Sequence, residues 1–178
     1  MIRSMTDPRY PVGPFTPPSE FTPALRREYI EQIATLPARL RAAVEGLSEP
    51  YLNHPYREEG WTVAQVVHHM ADSHVNAYVR FKLAATEENP PVKAYNEALW
   101  ADLADSKGSD VRPSLDILTG LHARWASFLR GLTEEQFGRT YNHSVTGPVT
   151  LDHALALYAW HGRHHAAHIT SLRERMGW

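Results

Sequence analysis

The sequence predicts an all-α protein, a four-helix bundle preceded by an extended, proline-rich N-terminal arm. Apolar residues recur at steps of three and four along four long stretches, the period of one buried helix face. Two capping boxes, Thr62-Val63-Ala64-Gln65 and Thr133-Glu134-Glu135-Gln136, mark helix starts. No convincing series of alternating apolar and polar residues is present to build a sheet. The length of 178 residues suits one domain, 1–178, large enough to bury a core.

Residues 1–24 hold six of the 13 prolines, which no helix can run through. They are expected to form an extended arm gripping the body, or a neighbouring subunit, through Tyr10, Val12, Phe15 and Phe21. A first helix is predicted over 24–47 from Tyr29, Ile33, Leu36, Leu40, Val44 and Leu47, with Pro37 expected to kink or split it. Ser48 to Gly60, with Pro50 and Pro55, reads as a loop. The second helix starts behind the Thr62 cap and runs to about Thr86, where Asn89-Pro90-Pro91 stops it. Residues 92–112 read as irregular, with a short helix at 94–103. A third helix follows Pro113 with Ser114 as N-cap, buried through Leu118, Leu121, His122, Trp125, Phe128, Leu129 and Leu132. Thr133 opens one further turn. Residues 138–149 form a loop with a small hairpin around Thr146-Gly147-Pro148, and the fourth helix runs from Leu151 to Met176, between the Thr150 cap and Gly177. Whether a long crossover is present depends on residues 87–113.

The net charge of −2 and the lack of a basic block argue against nucleic acid as a partner. No run of 18 apolar residues suggests a membrane span, and Met1 to Pro8 lack the apolar core of a signal peptide, so cytoplasmic residence is expected. Cysteine is absent, which removes disulfides, thiolate metal sites and a cysteine nucleophile. A metal would have to rest on His, Asp and Glu, and thiol chemistry would need a sulfur from a substrate.

The stretch Tyr158 to Ile169 of the last helix holds four of the 11 histidines, His161, His164, His165 and His168, with His153 just upstream of it. His161 and His165 are four residues apart, so their rings share one face and can hold one divalent ion. In a bundle the third ligand comes from a facing helix. His68 and His69 diverge by about 100°. His69 begins a polar stripe with Asp72, Ser73, Asn76 and Arg80, whereas His68 falls between apolar neighbours and the bundle surface, so His69 is favoured. His168 is on the stripe of His161, as an outer partner or pocket wall. His164 is rotated away and reads as a hydrogen-bonding neighbour, and His122 as a satisfied core histidine or a further site residue. A zinc peptidase helix needs Glu directly after the first His of the pair, and here that residue is Gly162.

Three imidazoles would leave the ion its full charge and an open position. Bound water would then have its pKa lowered to about 7, giving hydroxide for hydrolysis. A bound thiol would be deprotonated outright. Asp72 is the nearest candidate base, and Arg80 a candidate for an anionic substrate group. With no obvious base beside the ligands, thiol transfer is the better expectation.

The segments Gly60-Trp61-Thr62-Val63-Ala64-Gln65-Val66-Val67-His68-His69-Met70-Ala71-Asp72-Ser73-His74 and Tyr158-Ala159-Trp160-His161-Gly162-Arg163-His164-His165 resemble the metal-binding helices of the DinB-like superfamily, in its YfiT branch. Arg9-Tyr10-Pro11-Val12-Gly13, Arg80-Phe81-Lys82-Leu83, Leu121-His122-Ala123-Arg124-Trp125 and Met176-Gly177-Trp178 are also similar to that branch, so the likeness covers nearly the whole chain. The resemblance implies a four-helix bundle holding zinc or nickel through His69, His161 and His165, and a homodimer. Members are described as metal-dependent hydrolases, and related ones as bacillithiol S-transferases. The expected function is therefore metal-dependent transfer of a low-molecular-weight thiol, with bacillithiol the candidate, to an electrophile. Hydrolysis, or a non-catalytic metal-binding stress-response module, are the alternatives.

Overall fold

The computed structural model describes residues 7–178, so the reading of Met1 to Thr6 as free of a leader and as the start of the arm lies outside the described residues. The elements in chain order are α1 (Pro23–Val44), α2 (Glu49–Leu52), α3 (Val63–Thr86), β1 (Pro91–Val92), α4 (Glu97–Ala101), α5 (Arg112–Arg130), α6 (Glu134–Phe137), β2 (Thr140–His143), β3 (Gly147–Thr150) and α7 (Leu151–Met176).

The four long helices α1, α3, α5 and α7 form the bundle. The Thr22 hydroxyl caps α1 by accepting from the Leu25 N–H, with Pro23 in the first turn. The helix ends at Val44, three residues earlier than the periodicity suggests, and Gly46 follows at φ +75°. Pro37 does not split it. Ile33, Leu36, Pro37 and Leu40 are buried, and α1 packs against both α5 and α7, which holds the turns on either side of the proline in place. The predicted capping box at Thr62 and Gln65 opens α3. The segment after Ser48 is less irregular than expected, since Glu49–Leu52 makes one helical turn. Helix α5 begins at Arg112, with Pro113 in its first turn, and Ser114 does not cap it. The Ser114 hydroxyl is engaged instead by His68 Nδ1 at 2.8 Å. Thr150 caps α7, and Gly177 closes it in the left-handed conformation at φ 72°.

Helix α1 packs on α5 and α7, and α3 on the same two, so α1 and α3 lie diagonally across the bundle. The apolar interior falls into two clusters. One contains Leu36, Leu40, Val63, Val67, Met70, Leu118, Ile169 and Leu172. The other contains Ile30, Ile33, Phe81, Trp125, Leu129, Leu151, Leu155 and Tyr158. Helices α1 and α7 run from the second cluster to the first, and α3 and α5 run the opposite way. The neighbours α3 and α5 are therefore parallel, and residues 87–111 must return along the bundle. This is the crossover the sequence left open. Helix α3 is about 36 Å long at 1.5 Å per residue, well within reach of that segment.

The expected hairpin forms from β2 and β3, with Tyr141 opposite Val149, and β1 from the crossover adds parallel to β2. The arm lies along α7. The Trp160 indole N–H donates to the Gly13 carbonyl at 3.1 Å, and Phe15 packs against His153 and Trp160. Tyr10 and Val12, expected as grips, are about half exposed, and the Tyr10 ring lies 6.2 Å from that of His164 on α7. Among the described residues no helix is long and apolar enough to cross a membrane.

Candidate metal centre

Between the two apolar clusters lies a layer of imidazoles: His69 and His74 on α3, His122 on α5, and His161 and His165 on α7. The layer follows from the periodicity. His74, His122, His161 and His165 continue the apolar stripes of their helices, in places that would otherwise carry Leu or Val, while His69 begins the polar stripe beside that of α3.

The structure brings His69, His161 and His165 together. One ring nitrogen of each lies within 4.8 Å of the other two. His69 Nε2 and His161 Nε2 are 3.3 Å apart, and the rings of His161 and His165 are 4.4 Å apart between centroids. A tetrahedral ion with bonds of about 2.0–2.1 Å needs donor nitrogens about 3.3–3.4 Å apart, so the His69–His161 pair already has the spacing of two ligands. Burial lowers the pKa of His69 to about 4 and holds His161 and His165 well below the usual histidine value. All three are neutral at pH 7, with a lone pair available. The donor set suits zinc or nickel.

The histidines open on a cavity of about 480 Å³ lined also by Trp61, Ser73, Arg80, Glu97, Leu157 and Tyr158. Trp61 lies against His69 with ring centroids 4.7 Å apart and covers one side of that imidazole. Burial raises the pKa of the Tyr158 hydroxyl, with Arg80 and Ser73 opposing it, so it is a neutral donor at the wall. Arg80 is buried, not a surface arginine, and donates to the Lys93 carbonyl at 2.9 Å. It also borders a neighbouring cavity of about 530 Å³ with His143 and His153.

Asp72 is not among the residues lining the histidine cavity. It is half-buried near Asp105, and burial, then that neighbouring carboxylate, raises its pKa. The carboxylate at the cavity is Glu97, at its exposed rim, which the irregular pattern of 92–112 concealed. His68 is buried rather than facing the surface, held by Ser114 and by the Gly108 carbonyl at 2.9 Å. His164 is not a hydrogen-bonding neighbour: its Nδ1 has no partner, and the ring stacks on Trp160. His168 does wall a pocket, but a second one. Its Nε2 contacts the Arg9 carbonyl at 3.3 Å, and with His164 and His165 it borders a cavity of about 430 Å³. Those three also cluster within 4.8 Å, yet Arg9 and Arg57 line the same cavity, and two guanidinium groups disfavour a cation there. His122 is a fully buried, satisfied histidine, bonded to His74 and to the Ile33 carbonyl.

His74 is the histidine that sequence reasoning missed. It lies five positions after His69, off the shared stripe, and its Nε2 meets His161 Nδ1 at 3.0 Å. Gly162 also has a second explanation. A Cβ there would lie 2.6 Å from Leu36 Cδ2, so glycine lets α1 and α7 approach.

Burial also lowers the pKa of His122 to about 4, and that of His74 well below its usual value. In the unfolded chain each histidine returns to about 6.5. The unfolded state therefore takes up protons first as pH falls, and stability is lost between about 6.5 and about 4. The urea midpoint of the metal-free protein should be level above pH 7 and fall steeply towards pH 5. A level midpoint through that range would mean that these rings are not buried neutral.

The chain matches the DinB superfamily over residues 32–169. A Bacillus cereus (strain 03BB102) protein, provisionally named a metal-dependent hydrolase, is 51% identical over 174 residues, 98% of this chain and 100% of that protein. Bacillus subtilis YfiT, named in the same provisional way, is 48% identical over 170 residues, 95% of this chain and 96% of YfiT. A solved YfiT structure, described with an unusual four-helix bundle topology, superposes with a TM-score of 0.94 at 46% identity, covering 97% of this chain and 99% of that one.

Proposed function

The chain belongs to the DinB superfamily, and from that premise we propose that it is a metal-dependent S-transferase, joining a low-molecular-weight thiol, bacillithiol in the first instance, to an electrophile. The observation that supports this best is the composition of the site: three neutral imidazoles converge on an open cavity, and the one carboxylate lining it stands at the solvent-exposed rim. Such a site could hold zinc, the first choice, or nickel, without a buried base beside it.

A divalent ion, when bound, supplies the Lewis acidity that makes a thiol or a water nucleophilic at neutral pH. The protein's residues bind and orient. Arg80 offers a buried cation for an anionic group of a substrate, and the Tyr158 hydroxyl a neutral donor. Trp61 and Leu157 give apolar wall to an electrophile and limit water at the reacting atoms. In the transfer, the thiol sulfur bonds to the electrophilic carbon, the leaving group departs with its electron pair, and the thiol proton passes to solvent. We propose a homodimer as the working form: Val75 and Val79 are exposed one turn apart on α3, against which α4 packs with Leu99 exposed.

Hydrolysis is the second reading, favoured by the names of the relatives and by Glu97 at the rim. A thiol-dependence assay separates the readings. Zinc- or nickel-loaded protein is given a chlorodinitroarene with bacillithiol, another small thiol or none, with and without chelator. Thiol and arene should be consumed together, and chelator should stop both. Ester or amide turnover without thiol would overturn transfer in favour of hydrolysis. Retained metal with neither activity would point to a non-catalytic metal-binding module.

A further inference from the structure

Three histidines and one backbone carbonyl run in a line from the metal site to helix α1. His161 Nδ1 meets His74 Nε2 at 3.0 Å, His74 Nδ1 meets His122 Nε2 at 2.8 Å, and His122 Nδ1 meets the Ile33 carbonyl at 2.6 Å. His74 and His122 have no solvent exposure, so water cannot substitute for any partner.

The far end of the line fixes its direction. A carbonyl oxygen only accepts, so His122 Nδ1 carries the hydrogen. A neutral imidazole has one N–H, which leaves His122 Nε2 bare to accept from His74 Nδ1. His74 Nε2 is bare in turn and accepts from His161 Nδ1. His161 is left with its free lone pair on Nε2, the nitrogen that lies 3.3 Å from His69 Nε2.

The carbonyl is free for this purpose because of Pro37. In an α-helix the Ile33 carbonyl would accept from the N–H of residue 37. Proline has no N–H, and α1 continues through it. The residue that ordinarily interrupts a helix here keeps one acceptor unclaimed, on the side facing α5.

We propose that Pro37, His122 and His74 form a one-way hydrogen-bond relay that holds His161 with Nε2 turned to the metal, which makes all three positioning residues of the metal site. The proposal rests on the three-histidine reading of that site and adds how one ligand is oriented. Partners of this kind both fix the tautomer of a ligating histidine and raise its basicity, and losing one costs about 10- to 100-fold in metal affinity.

Long-range ¹H–¹⁵N spectra of the histidine side chains in the metal-free full-length protein read the tautomers directly. They should place the hydrogen on Nδ1 in His74, His122 and His161. Competition with a chromophoric chelator gives zinc affinity. His74→Phe should weaken zinc binding about 10- to 100-fold. Pro37→Ala restores the competing N–H, so it should weaken zinc binding while raising the melting temperature, a pair of opposite effects that a merely structural proline would not give. An Nε2–H form of His161 in the metal-free protein, or unchanged zinc affinity in Pro37→Ala, would overturn the relay. Absence of zinc binding by the parent would instead overturn the three-histidine reading, with the tautomer spectra still deciding the relay.

Discussion

Replacing His161 with alanine should remove stoichiometric zinc from the purified protein. The proposed site has three protein ligands, and His161 is central among them, with Nε2 3.3 Å from His69 and its ring 4.4 Å from that of His165. Its loss should cost more than the about 10- to 100-fold typical of an outer partner, because two imidazoles make a weak site. His69→Ala should do the same from the opposite helix. Elemental analysis after dialysis measures both. His164→Ala is the control: that ring stacks on Trp160 and is absent from the ligand group, so zinc should be retained. Stoichiometric zinc in His161→Ala or His69→Ala would show that the ligands lie elsewhere. His68→Ala tests the adjacent position. It should keep the metal and lose stability, because the Ser114 hydroxyl and the Gly108 carbonyl each lose a buried partner.

The second large effect is expected at Gly162. Its place after His161 is where a zinc peptidase helix carries glutamate, and grafting that residue in is an obvious route to a hydrolase. The substitution should damage the fold before it changes the chemistry. A Cβ would stand 2.6 Å from Leu36 Cδ2 and 3.1 Å from Cδ1, in the buried seam where α1 meets α7. Overpacking of this kind costs about 1–3 kcal/mol, so Gly162→Ala should lower the urea midpoint measurably, and Gly162→Glu further. The clash can be isolated. Leu36→Ala alone should cost about 2–5 kcal/mol by leaving a cavity, and the double variant should cost clearly less than the two singles added. Strict additivity would mean that the glycine is not there for Leu36.

Much of this was legible from the chain alone, and the limits have physical causes. Helix starts were readable where side chains cap backbone N–H groups, at Thr62, Thr133 and Thr150. The expected cap at Ser114 was not one, because its hydroxyl is taken by His68 from another helix, a contact that local sequence does not encode. Pro37 was read by its intrinsic effect, as a kink or a break, and packing on α5 and α7 keeps the helix continuous through it. The His161–His165 pair follows from helical spacing, and His69 from a polar stripe. His74 escaped because its role depends on α7 and α5 arriving beside it, and the crossover that brings α5 alongside α3 has no periodicity to read. Glu97 escaped for the same reason, while Asp72 drew attention by lying on the right stripe and points to a different neighbourhood.

The layer of imidazoles between the two apolar clusters also bears on how the bundle comes apart. All four long helices cross it, and there α3 is joined to α5 and α7 by ring-to-ring hydrogen bonds and α1 to α5 through the Ile33 carbonyl, while most of the large aliphatic contacts lie above and below. Such a seam divides a bundle into two units able to open separately. An ion tying His69 on α3 to His161 and His165 on α7 would span the seam between two antiparallel neighbours. In hydrogen-exchange terms, the amides of the two ends would then exchange through one common opening event when metal is present, and through two distinct ones when it is removed.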